Sequence, residues 1–128
     1  MPNIAYFEIP ADNVDRAKKF YHALLGWTIE QTKSMGDPAK MKAMQYQDVV
    51  TGEKQEGTLS MGGMYKRQMT EQIMNYVMVD DIDKVTAKVE KLGGKIIVPK
   101  MEIKGVGWTV IIQDTEGNVL GLWQPGMM

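Results

Sequence analysis

The sequence predicts an α+β protein built from two βαβββ units, and three features carry that expectation. The stretch YFEIPADNVDRA, from Tyr6, lies without a gap on MNYVMVDDIDKV, from Met74; position 6 meets position 74, an offset of 68. Helical periodicity follows the strand-like start of both copies. Each helix is then followed by three further strand-like runs separated by turn residues.

The elements can be justified in order. Asn3–Ile9 and Met74–Val79 read as first strands. Asp12-Asn13 and Asp80-Asp81 follow them, with side-chain oxygens suited to accept from the first free N–H groups of a helix. Val14, Ala17, Tyr21 and Leu24 are spaced by three or four residues, as are Ile82, Val85, Val89 and Leu92. This predicts helices over Asn13–Leu25 and Ile82–Leu92, each ended by glycine at Gly26 or Gly93-Gly94. The later strands are expected at Trp27–Gln31, Met41–Gln47 and Thr58–Gly62, then at Lys95–Pro99, Trp108–Gln113 and Asn118–Trp123. Tyr65–Ile73 reads as the linker. Repeat one therefore runs over about residues 3–64 and repeat two over about 73–125. Neither half buries much core alone, so one domain over residues 1–128 is expected. A ferredoxin-like βαββαβ chain with added strands is the alternative, and it explains the strand count less well.

Composition narrows the function. Apolar residues make up 44 % and charged residues 24 %, as in globular proteins. The net charge of -1 comes from 15 basic and 16 acidic residues scattered along the chain, which leaves no footprint for nucleic acid or an anionic membrane. There is no cysteine, hence no disulfide, thiolate nucleophile or zinc-thiolate site. The start carries no signal-peptide pattern and no apolar run is long enough to span a bilayer, so a cytoplasmic protein is expected. The one histidine, His22, lies in the helix pattern, so the chain cannot build a two-histidine iron site within one subunit.

Three segments carry a resemblance. FEIPADNVDRAKKFYHALLGW, VDDIDKVTAKVEKLGGKI and VIIQDTEGNVLGLWQP, in this order and spacing, resemble the glyoxalase/bleomycin-resistance/dioxygenase (vicinal oxygen chelate) superfamily. The resemblance implies curved mixed sheets around a cavity, helices on the outer faces, and a homodimer. In metal-dependent members the ligands come from the first and last strands of each unit. Carried over, those positions are Tyr6, Ser60, Met74 and Gly121, with Met61 or Thr58 as alternatives to Ser60 after a register shift. These are not the usual histidine, glutamine or glutamate, so no metal and no cofactor are expected.

Alternation along the strands then selects the cavity side. Ala5, Phe7 and Ile9 would face the helix, and Tyr6 and Glu8 the cavity. The expected ligand-binding set is Tyr6, Glu8, Ser60, Met74, Tyr76, Met78, Trp108, Gly121 and Trp123, with the face of Trp108 left open. Such an aromatic, thioether-rich mixture suits a flat, partly apolar organic molecule. The same residues also suit a plain filled core, since methionine packs irregular space well. Three functions remain. The first is a metal-free small-molecule-binding protein of the bleomycin-resistance kind. The second is a lyase, isomerase or dioxygenase with Glu8 as base and Tyr6 as proton donor. The third is a surface-interaction protein with a filled cavity.

Overall fold

The computed structural model describes residues 2–33, 35–53 and 55–126. Its elements run β1 (Asn3–Ala11), α1 (Val14–Leu25), β2 (Thr28–Gln31), α2 (Pro38–Ala43), β3 (Gln47–Val50) and β4 (Met61–Lys66). Then come β5 (Met74–Met78), α3 (Ile82–Val89), a 3-10 turn (Glu90–Leu92), β6 (Lys95–Ile103), β7 (Gly107–Gln113) and β8 (Val119–Pro125). Contacts divide the chain into two units. One is Tyr6–Ile73; the other joins Met1–Ala5 to Met74–Met128.

In the first unit the strand order is β2-β3-β4-β1, with β1 parallel to β4 and the other pairs antiparallel. In the second it is β6-β7-β8-β5, with β5 parallel to β8 and the other pairs antiparallel. The two orders are the same once the repeat is applied, which makes each half one βαβββ unit with a mixed sheet.

The cap residues act as their chemistry requires. Asn13 accepts from the Arg16 N–H and Asp81 from the Lys84 N–H, so each helix has one of its orphan donors satisfied. Gly26 ends α1 at φ 73, a left-handed conformation that glycine adopts without the Cβ penalty. Between these ends α1 lays its apolar stripe on its own sheet. Ile9, Ala11, Val14, Ile29, Val49 and Met64 form the buried cluster, with Phe7, Ala17, Tyr21 and Trp27 packed against it. Val49 and Met64 have no exposure at all. In the second unit Val79, Ile82, Val110 and Leu122 play the same part under α3. A fully buried side chain of this size contributes roughly 1.5–3 kcal/mol, so these clusters set which sheet face turns inward.

Two expected strands move. Met41–Gln47 is not a strand: Asp37 accepts from the Ala39 N–H, Pro38 opens α2, and β3 begins only at Gln47. The last strand of the first unit is Met61–Lys66 instead of Thr58–Gly62, because β3 pairs with β4 from Val50↔Met61 to Gln47↔Met64. Tyr65 and Lys66 thus belong to a strand and not to the linker.

Candidate functional site

Alternation gives the first unit's sheet a second face, turned away from α1. Across it Glu8 lies opposite Gly63, Gly63 opposite Asp48, and Asp48 opposite Glu30. Tyr46 enters this row from its end. The chain leaves α2 through Gln45, at φ 53, and the Tyr46 N–H returns to the Met41 carbonyl. The Tyr46 carbonyl accepts from the Thr32 N–H, so both backbone groups are tied and the ring is aimed over Gly63. It stacks beside Tyr65, with centroids 6.5 Å apart and planes 6° from parallel.

There the Tyr46 hydroxyl donates to Glu8 Oε2 at 2.8 Å and lies 2.7 Å from the Tyr6 hydroxyl. With its own proton committed to Glu8, Tyr46 accepts from Tyr6. The result is a chain from phenol to phenol to carboxylate in which each bond polarises the next. Gly63 makes the room: a Cβ there would stand 2.0 Å from the Tyr46 oxygen and 2.7 Å from the Tyr6 oxygen.

The phenols hold their protons firmly. Burial raises the pKa of Tyr46, which is only 3 % exposed, and the charge of Glu8 raises it further. Burial raises that of Tyr6 too, and the charges of Glu8 and Asp48 add to it against the opposing effect of the Tyr46 hydrogen bond. Tyr65 is pushed up to about 12, first by burial and then by Glu8. On the same sheet face, towards β2, a recess of about 190 Å³ is lined by Thr28, Glu30, Gln31, Lys33, Asp48, Val50 and Met61, and by none of the three residues of the chain.

The residues singled out from sequence divide accordingly. Tyr6 and Glu8 come together on the face opposite α1, while Phe7 and Ile9 pack with the helix, as alternation requires. Ser60 does not occupy the repeat equivalent of Gly121. It precedes β4, and its carbonyl accepts from the Thr51 N–H. Gly63 is the equivalent, since Glu8↔Gly63 matches Tyr76↔Gly121. In the second unit Tyr76 covers Gly121, and Met78 lies opposite Trp123, whose indole donates to the Val106 carbonyl at 3.2 Å. Met74 opens β5 on the same side as Tyr76 and Met78. Trp108 packs with the helix-side cluster of Val110 and Ile112, on the opposite face from Trp123. His22 stays on α1, its Nδ1 3.0 Å from the Trp27 carbonyl.

Tyr46, Asp48 and Tyr65 were not selected from the sequence. Tyr46 was hidden by reading Met41–Gln47 as one strand. The signal that would have exposed it is Asp37-Pro38, an N-cap followed by proline at the first helical position.

A model of the Glyoxalase/Bleomycin resistance protein/Dioxygenase superfamily matches residues 3–122. The chain belongs to this superfamily. A Mycobacterium bovis protein named "Putative glyoxylase CFP32" is 28% identical over 119 residues, covering 93% of this chain and 44% of its own length. The chain thus spans less than half of that relative. Among solved structures, methylmalonyl-CoA epimerase from Mycobacterium tuberculosis superposes with a TM-score of 0.63 at 13% identity, over 97% of this chain and 88% of that one. A superfamily member from Vibrio splendidus 12B01 superposes at 0.64 with 9% identity, over 98% and 100%. These likenesses establish the vicinal oxygen chelate fold. Among the described residues no helix is long and apolar enough to cross a membrane.

The tyrosines make stability depend on pH at the alkaline end. A phenol whose folded pKa is raised contributes stability that is complete below its unfolded value near 10 and is lost as pH rises towards the folded value. Tyr65 places that window between about 10 and about 12, and Tyr6 and Tyr46 extend it upward. Urea unfolding should therefore weaken from about pH 10 upward. Phenolate absorbance at pH about 11 should fall short of five tyrosines while the circular dichroism is still native. Full five-tyrosine absorbance in the native protein would contradict the buried hydroxyl chain.

Proposed function

We propose that the chain is a small-molecule-binding member of the superfamily that works without a metal. The observation supporting this is the Tyr6–Tyr46–Glu8 chain on a sheet face that also carries a recess of mixed lining. Val50 and Met61 offer apolar surface, Thr28 and Gln31 neutral polar groups, and Glu30 and Asp48 carboxylates. A few polar groups on an apolar floor suit an organic molecule held by orientation-defining hydrogen bonds. The donors at the family's ligand positions do not fit a divalent metal. Tyr6 brings a phenol, Met74 a soft thioether, and Gly63 and Gly121 no side chain at all, whereas hard cations take carboxylates and carbonyls and zinc takes imidazole or thiolate.

A catalytic reading of the lyase or isomerase kind draws on the same chain. Tyr46 connects a carboxylate to a second phenol, the components a base and a proton donor would need. The fold likeness to an epimerase adds no residue to that reading. Binding is preferred because both phenolic protons are engaged inside the chain.

Glu8→Gln should keep the fold and weaken binding of a compound found by thermal-shift screening by about 1.5–3 kcal/mol, the worth of one charge-assisted hydrogen bond. Calorimetry on both proteins checks this, and equal affinities would remove Glu8 as the anchor.

We further propose a homodimer. It is supported by exposed Phe20, Leu24 and Leu25 on α1 and by a relative more than twice as long as this chain. Light scattering should give twice the subunit mass; 14.4 kDa across micromolar concentrations would refute pairing.

A further inference from the structure

Both units carry the same substitution of space for chemistry. On the last strand of each, the residue paired with the first strand is a glycine: Gly63 opposite Glu8, and Gly121 opposite Tyr76. In both, tyrosine stands where the missing side chain would begin. A Cβ at Gly63 would lie 2.0 Å from the Tyr46 oxygen, and a Cβ at Gly121 would lie 2.3 Å from Tyr76 Cδ2. Neither glycine is needed for backbone conformation, since neither is among the positive-φ residues. Their smallness is spent on the rings.

We infer that Tyr46 and Tyr76 exclude a metal from this chain by occupying the volume of its last-strand ligands, once in each unit. Every metal-ligating side chain begins with a Cβ, so no carboxylate or imidazole can stand at position 63 or 121 while the ring above it stays. Moving Tyr46 would cost its bond to Glu8, its bond to Tyr6 and its stacking on Tyr65. Replacing a glycine by a ligand residue is therefore not enough to restore a site. The remaining donors do not compensate: among the described residues no three of His, Cys, Asp and Glu gather closely enough to hold an ion. The inference rests on the metal-independent reading above and gives it a steric cause.

Two measurements test it. The full-length protein is dialysed against cobalt(II), then against buffer, and its cobalt content is measured with the visible spectrum. Far less than one cobalt per chain and no ligand-field band are expected; about one cobalt per chain overturns the inference. In parallel, thermal midpoints are compared for Gly63→Ala in the wild-type and Tyr46→Ala backgrounds. The substitution should lower the midpoint by about 5 °C or more where Tyr46 is present and by much less where it is absent. Equal losses in both backgrounds would show that Gly63 is not the seat of Tyr46 and would also overturn it. If Gly63→Ala fails to fold, Gly121→Ala with and without Tyr76→Ala serves the same comparison. A failure of Glu8→Gln to weaken ligand binding would leave the cobalt result untouched, so the two ideas fail separately.

Discussion

The hydroxyl of Tyr46, held over Gly63 between Tyr6 and Glu8, is the contact on which the first unit's polar sheet face depends. A carboxylate on a half-buried sheet face is costly unless its lone pairs are met. Tyr46 meets one of them, and its own oxygen is met by Tyr6. Without the glycine the ring could not enter. Without the ring, Glu8 and Tyr6 would each lose one hydrogen bond.

The rest of the unit can be understood as a frame for that contact. Asp37 and Pro38 start α2, six residues long, and the left-handed Gln45 turns the chain back so that β3 begins one residue after Tyr46. The Met44 carbonyl accepts from the Lys66 N–H and ties this turn to the end of β4. Just past the same end of β4, Arg67 pairs with Asp12 at 2.8 Å and also reaches the carbonyls of Pro10 and Glu71. The linker is thereby bound to the end of β1. On the opposite face Met64 and Val49 are fully buried against the α1 cluster, which leaves their neighbours Gly63 and Asp48 turned the other way. Packing energy on one face thus decides the chemistry presented on the other.

The frame was largely readable from the chain, because it is built from local signals. Asn13 and Asp81 cap the helices expected of them, Gly26 closes α1, and Phe7 and Ile9 turn towards the helix while Tyr6 and Glu8 turn away. The site was less readable because it depends on register. A three-residue slip in β4 moved the key position from Ser60 to Gly63, and a glycine announces no chemistry of its own. Tyr46 lies just before a four-residue strand too short to show alternation. The face of Trp108 lies beyond local pattern as well, since β6 meets β7 through register shifts between Ile96 and Val98 and between Val98 and Met101. The family, in contrast, was legible from three motifs in order, and the matched residues 3–122 contain nearly all of them.

What separates this account from an ordinary filled sheet face is the claim that Tyr46 and Glu8 act as one unit. The direct measurement is a double-mutant cycle on unfolding free energy with Tyr46→Phe, Glu8→Gln and the pair combined. Tyr46→Phe keeps the ring and its stacking on Tyr65 and removes only the hydroxyl. The account predicts an interaction energy of about 0.5–3 kcal/mol between the two sites, as for residues that share a hydrogen bond. Additivity to within about 0.3–0.5 kcal/mol would contradict it.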